Sequence, residues 1–142
     1  MSNATTIEEK AFSQCPNLEG VYFNSSFPIE IEENAFANCK KLTWENIFIP
    51  KLTTLSDNAF SGCTNLSYIE MPNLLTIGES PFNGCTTLSY AYLGCLNMPT
   101  ASVFLNTRIE RLYLPKCTEL ESECFMDCAL LKYISIPEVI TI

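Results

Sequence analysis

One pattern of apolar positions recurs six times along the chain. Phenylalanines return at a nearly constant spacing, slightly longer in the first two intervals than in the later ones. In most copies a cysteine follows three residues later and a leucine six residues later. The phenylalanines are Phe12, Phe36, Phe60, Phe82, Phe104 and Phe125. A period of about 22 residues predicts a solenoid, because a single coil buries its apolar side only against its neighbours.

The residues after each leucine alternate between apolar and polar, which predicts a strand. The predicted strands lie near residues 20–23, 46–49, 67–71, 89–93, 110–114 and 132–136. In four copies a proline follows and ends the strand, because proline cannot donate to a ladder. We expect all six strands to be parallel and to lie in one sheet. Extra residues near 25–27 and 44–46 predict loops at coil corners.

The residue before each cysteine position is of a kind that ends a helical turn. Five of the six tolerate a left-handed backbone, and the six are Gln14, Asn38, Gly62, Gly84, Asn106 and Asp127. A short helical turn around each phenylalanine is therefore expected on the side opposite the strands.

The repeat resembles that of the BspA-like class of leucine-rich repeat proteins. The segments that carry the resemblance are IEENAFANCKKL, LSDNAFSGCTNLSYIEMP and IGESPFNGCTTL, and the likeness extends over residues 7–142. It implies a curved, right-handed α/β coil stack with a parallel β-sheet on one face and short helical turns on the other. It also implies cell-surface proteins of host-associated microbes that act in adhesion and in binding host proteins.

The first four residues look like an expression-tag remnant, and residues 5–142 are interpreted as a single domain of about six repeats. Both ends are cut at the same phase of the repeat and neither has a distinct cap. Because natural arrays cover their end coils with atypical repeats, we expect a segment of a longer array that can associate end to end.

Composition excludes several classes of function. The net charge is −8, so the chain is expected to repel nucleic acid and anionic lipid surfaces. The chain contains no run of about 18 apolar residues, so no membrane insertion is predicted. The chain has no histidine, which removes the usual base of serine and cysteine hydrolases. We therefore expect no enzyme activity, no catalytic residues and no cofactor.

Five of the eight cysteines, namely Cys15, Cys39, Cys63, Cys85 and Cys128, recur at one position of the repeat and form a ladder rather than metal-binding pairs. Metal sites use pairs of ligands two to five residues apart, and the chain has no C-x-x-C. Stacked side chains about 5 Å apart are too distant for disulfides. Buried free thiols are the favoured interpretation, although Cys95 and Cys117 could pair. The acidic residues before each phenylalanine are interpreted as solvated turns that favour the following helical turn, with a cation site as the alternative. No metal site is predicted.

The outward positions of the predicted strands collect aromatic side chains and one arginine. They hold Tyr22, Trp44, Tyr68, Tyr90, Tyr92, Arg111, Tyr113 and Tyr133. These residue types dominate binding hot spots, so the set predicts a ligand-binding face. The alternative is that the aromatic residues only stabilise the sheet through cross-strand contacts.

These observations favour a protein–protein interaction or adhesion module for a protein, peptide or glycan ligand, possibly a host extracellular protein. From the resemblance we expect it to be on the cell surface or secreted. The alternative is an intracellular scaffold or regulatory domain in the cytoplasm. Glycosylation of Asn24 and Asn65 stays open, because it requires a eukaryotic source and export.

Overall fold

A computed structural model describes residues 4–95, 97–98, 102–121 and 123–137. The chain is a solenoid of about six turns built from short parallel strands. The strands are β1 (Thr6–Ile7), β2 (Val21–Tyr22), β3 (Ile29–Ile31), β4 (Ile47–Phe48), β5 (Leu52–Leu55), β6 (Tyr68–Met71), β7 (Thr76–Ile77), β8 (Tyr90–Leu93), β9 (Asn97–Met98), β10 (Arg111–Tyr113), β11 (Glu119–Leu120) and β12 (Tyr133–Ser135). Even-numbered strands make the front line of the solenoid and odd-numbered strands make the back line. The expected repeat solenoid is thereby confirmed.

The front line lies where the sequence predicts it, and its strands are parallel. The expectation of one sheet is wrong, because β2–β4 form one sheet and β6–β8–β10–β12 another. The break coincides with a change in the repeat, since the interval from Phe60 to Phe82 is shorter than that from Phe36 to Phe60. The second coil carries two extra residues near Trp44–Asn46, where a three-residue 3-10 turn lies directly before β4, and β4 does not pair with β6.

The back line was not predicted. It contains the sheet β1–β3–β5–β7 and the pair β9–β11, both parallel. The first of these sheets continues across the point at which the front line breaks, with a bulge between Ile29 and Glu30 where β3 meets β5. The apolar residues of this line contribute to the core: Leu52 and Leu55 of β5 are buried, and Ile77 and Leu120 pack against the core while partly buried.

The expected short helical turns are hydrogen-bonded turns rather than α-helix. In the third coil the Ser61 N–H donates to Asn58 O at 3.0 Å and the Cys63 N–H to Phe60 O at 3.1 Å. Both Asn58 (φ 54°) and Gly62 (φ 72°) are left-handed, and two such residues four positions apart prevent a continuous helix. Across the described ranges, no helix is long and apolar enough to cross a membrane.

The left-handed residues form two columns along the solenoid. All six residues predicted before the cysteine position have positive φ. The sequence did not reveal a second column two residues before the phenylalanines, namely Lys10, Asn34, Asn58, Ser80, Ser102 and Glu123. Lysine, glutamate and serine are not typical of this conformation, so composition gave no signal there.

The phenylalanine column forms the centre of the core. Its rings stack at centroid distances of 5.2, 5.1, 6.2 and 6.0 Å from Phe12 through Phe104. The four inner phenylalanines are buried, as predicted, whereas Phe12 and Phe125 are partly exposed because each end coil has a neighbour on one side only. The inward residue Ile134 of the last coil is 42% exposed for the same reason.

The cysteines add a second column that ties adjacent coils together. The thiols of Cys39, Cys63 and Cys85 each donate to the carbonyl of the phenylalanine one coil earlier, at 3.1 Å. All eight cysteines are free, and burial raises the pKa of the Cys85 thiol to about 12. They therefore act as small apolar core residues with a weak donor.

Candidate ligand-binding face

The outward side chains of the second front sheet form two columns. The register aligns Tyr68 with Tyr90, Arg111 and Tyr133 in one column, and Glu70 with Tyr92, Tyr113 and Ser135 in the other. The alternate residues on the same strands, such as Ile69, Ala91 and Leu112, are fully buried. Strict alternation along each strand therefore holds the aromatic side chains on the outer face.

Neighbouring side chains on this face contact one another. The Arg111 guanidinium lies 5.3 Å from the ring centroid of Tyr133, within the range of a cation–π contact. The rings of Tyr90 and Tyr113 lie 5.6 Å apart at an interplanar angle of 43°. Arg111, Tyr113 and Tyr133 are exposed. The side chains of the two columns are therefore held by contacts with one another and remain accessible to solvent.

A separate aromatic pair lies on the first front sheet. Tyr22 is 72% exposed and Phe48 is 44% exposed, and their rings stack at 4.8 Å. Sequence reasoning found Tyr22 but missed Phe48, because it counted a fixed number of residues from each leucine. The two extra residues of the second coil shift the outward position to Phe48, which pairs with Tyr22 in the ladder.

The predicted position of Trp44 is wrong. It lies on the 3-10 turn before β4, not in an outward strand position, and its half-buried side chain packs against the core. The two extra residues of the second coil leave Trp44 in the turn that precedes β4, and the outward strand position falls on Phe48 instead. Trp44 nevertheless borders the face, because it lines a groove between β4 and β6.

A groove of about 630 Å³ opens where the front line breaks between β4 and β6. Its lining is mainly aromatic and aliphatic and includes one carboxylate. The lining residues are Trp44, Ile47, Phe48, Ile49, Pro50, Leu52, Glu70, Met71, Pro72, Asn73, Tyr90 and Tyr92. The groove thus brings together Trp44, Tyr90 and Tyr92 of the predicted face, whereas the other five predicted residues do not line it.

Two carboxylates give this part of the face a negative potential. Loss of hydration, followed by the charges of Glu45 and Glu70, raises the pKa of Tyr68. Loss of hydration and the Glu70 charge likewise raise the pKa of Tyr90. The ion pairs found in the described ranges, Lys10–Glu9 and Lys132–Glu110, involve neither Glu45 nor Glu70.

A second depression of about 510 Å³ lies beside the back line and is lined by acidic turns. Its carboxylates cap the turn of an adjacent coil: Glu32 accepts from the Glu9 N–H at 2.9 Å and Asp57 from the Glu79 N–H at 2.8 Å. Among the residues that the structure covers, no three metal-ligating side chains are grouped so that they could hold an ion. The acidic turns thus make structural contacts between coils.

Comparison with solved structures shows the same fold in two proteins of gut bacteria. A leucine-rich cell surface protein from Faecalibacterium prausnitzii A2-165 superposes with a TM-score of 0.75 at 23% identity, over 93% of this chain and 36% of that protein. A leucine-rich repeat protein from Eubacterium ventriosum ATCC 27560 gives 0.66 at 23% identity, over 95% and 37%. The chain thus spans just over a third of the length of each.

No curated protein sequence matches the chain significantly. The model of the BspA type leucine-rich repeat region matches in six copies, over residues 5–132 and 97–142. Those ranges include all six phenylalanine repeats and both lines of strands. The repeat, the parallel strands and this match together show that the chain belongs to the BspA-type leucine-rich repeat family, a class of protein-binding repeat modules.

Proposed function

We propose that this chain is a ligand-binding module of a cell-surface protein and that it acts in adhesion through the outward face of its front strands. The observation that carries the proposal is the pair of side-chain columns on β6–β12, where five tyrosines, Arg111 and Glu70 alternate with a fully apolar interior. Tyrosine and arginine at an exposed, supported position are typical of binding hot spots. The cell-surface relative with the same fold supports the location.

The size of the face predicts modest affinity. The four strands of the sheet β6–β12, spaced by about 4.8 Å and up to four residues wide, give an area of roughly 200–250 Å². A standard protein interface uses about 800 Å² of each partner. We therefore expect this chain alone to bind a protein weakly, or to bind a short segment of it.

A binding screen against host extracellular proteins, measured by surface plasmon resonance, tests the function. For any ligand found, Arg111→Ala and Tyr113→Ala should each weaken binding about tenfold or more, with unchanged thermal unfolding. Leu75→Ala is the matched control, since Leu75 is 55% exposed and lies beside the back strand β7. Equal losses for the control and the face variants, or tight binding that neither face variant affects, would show that another surface binds.

A further inference from the structure

The edge of β6 that faces the groove has backbone groups without a strand partner. The Ser67 and Met71 carbonyls accept from the Ser89 and Gly94 N–H groups, so alternate residues of this strand face β8. Tyr68 and Glu70 consequently direct their N–H and C=O groups the other way, toward β4. No ladder joins β4 to β6 in the described part of the chain.

The charges beside this edge complement a cation. Glu70 lines the groove and lies on the same strand as Tyr68, and besides loss of hydration the charges of Glu45 and Glu70 raise the pKa of Tyr68. Neither is within ion-pair distance of a basic side chain in the ranges covered by the structure. A guanidinium or ammonium group in the groove would meet the Glu70 carboxylate and the aromatic side chains of Trp44 and Tyr90, a combination that favours arginine or lysine.

We propose that the groove between β4 and β6 binds an extended peptide segment that carries an arginine or lysine. The peptide backbone pairs with Glu70 in the groove and, beyond the groove, with Tyr68 on the same edge of β6, as in strand addition, and its basic side chain contacts Glu70 beside the aromatic walls. This deepens the proposed function, on which it rests, by giving the ligand class and the subsite. A free strand edge offers donors and acceptors at the spacing of a peptide backbone, which favours a peptide over a glycan.

The test uses three labelled peptides and nuclear magnetic resonance of the intact chain. The first is acetyl-Thr-Val-Arg-Val-Thr-amide, the second has glutamate in place of arginine, and the third is the arginine peptide N-methylated at every residue, so that neither of its edges can donate to a strand. Maltohexaose serves as the glycan probe. Fluorescence polarisation gives the affinities, and amide chemical shifts and hydrogen exchange locate the binding.

The arginine peptide should bind at least about tenfold more tightly than the other two peptides, since each lacks one of the two required interactions. Its binding should shift and protect the amides of Tyr68 and Glu70. Glu70→Gln should weaken it about fivefold or more, whereas Glu30→Gln should leave it unchanged. Glu30 is the matched control because it is an exposed strand carboxylate on the back line.

Equal affinity for the arginine and glutamate peptides, or equal behaviour of the Glu70→Gln and Glu30→Gln variants, overturns the proposal. Binding of maltohexaose alone at these amides also overturns it and shows a glycan subsite. If a host protein binds through Arg111 and Tyr113 while the arginine peptide leaves Tyr68 and Glu70 unperturbed, the groove proposal fails and the proposed function stands. If the peptide binds as expected but neither face variant affects any host ligand, the proposed function fails instead.

Discussion

The front and back lines of strands respond differently to the same change in the sequence. Where the phenylalanine spacing shortens after Phe60, the back sheet β1–β3–β5–β7 continues and the front line divides into two sheets. The interior follows the back line, since Phe36 and Phe60 stack at 5.1 Å across this junction and the Cys63 thiol bonds across it at 3.1 Å. Core packing therefore sets the rise between coils, and inserted residues are accommodated on the front surface, where the groove opens.

This comparison predicts that the core holds the open junction together. Phe60→Ala removes a buried ring that stacks on both neighbours and should cost about 3–5 kcal/mol in free energy of unfolding. Phe12→Ala should cost only about 1–2 kcal/mol, because its ring is partly exposed and stacks on one side. Urea denaturation of the two variants measures both values. Similar losses would contradict a one-dimensional stack in which the central coils are best covered.

Substitutions at two glycines allow the paired junction between β6 and β8 to be compared with the coil that carries the inserted turn. A β-carbon at Gly94 would lie 2.2 Å from Pro72 O, and one at Gly20 would lie 2.7 Å from Asn46 O. Gly94→Ala should cost about 2–3 kcal/mol because the junction between β6 and β8 cannot shift, whereas Gly20→Ala should cost about 1 kcal/mol because the inserted turn can move. The midpoints of chemical unfolding check the order. A larger loss at Gly20 would show that the inserted turn is rigid.

The thiols of Cys63 and Cys85 test whether solvent is excluded from the interior equally well at the junction between β4 and β6 and at the junction between β6 and β8. Burial raises the pKa of Cys85 to about 12 and raises that of Cys63 as well, from an ordinary value of 9.0. Since the folded state retains these protons, their contribution to stability is complete below about pH 9 and is lost as the pH rises toward 12. Each thiol should reduce the free energy of unfolding by about 1.4 kcal/mol per pH unit above 9.

The measurement is urea denaturation between pH 8 and 10.5 for the wild type, Cys63→Ala and Cys85→Ala. Both variants should show a shallower fall with pH than the wild type, by similar amounts. If Cys63→Ala left the slope unchanged while Cys85→Ala reduced it, solvent would reach the interior at the open junction, and the contrast between core and front face would be wrong.

The smallest expected change in stability belongs to the variant that removes the cause of the break. Deleting Glu45 and Asn46 gives the second coil the length of the third and should allow β4 to pair with β6, with a change of about 1 kcal/mol or less. Hydrogen exchange should then show protected Tyr68 and Glu70 amides. Deleting Ser25 and Ser26, the other two-residue insertion, is the control and should leave these amides exposed to exchange.

The regular part of this molecule was accessible from the sequence because each coil repeats the same physical requirements. The phenylalanine column, the front strands and the left-handed residue before the cysteine position all follow from the repeat. Pairing between coils, in contrast, depends on where extra residues are accommodated. The sequence located the insertion at 44–46 but did not predict that Trp44 would leave the strand, that Phe48 would replace it in the ladder, or that a groove would open.

The back line was missed for a different reason. Its apolar residues do not follow the period of two that marks a strand, since the buried residues Leu52 and Leu55 of β5 are three positions apart. The signal was present as the second apolar pair of each repeat, such as Leu52 and Leu55. Paired left-handed residues, such as Asn58 and Gly62, are what exclude a helix on the remaining side.

Hydrogen exchange of four amides in the unmodified chain tests the central claim most directly. Tyr68 and Glu70 are aligned with Tyr90 and Tyr92 in the same two outward columns. Their N–H groups point toward β4, whereas those of Tyr90 and Tyr92 point toward the paired strand β6. We expect Tyr68 and Glu70 to exchange at least about 100 times faster than Tyr90 and Tyr92. Equal protection of all four would show that β4 and β6 pair in solution and that the front line is one closed sheet.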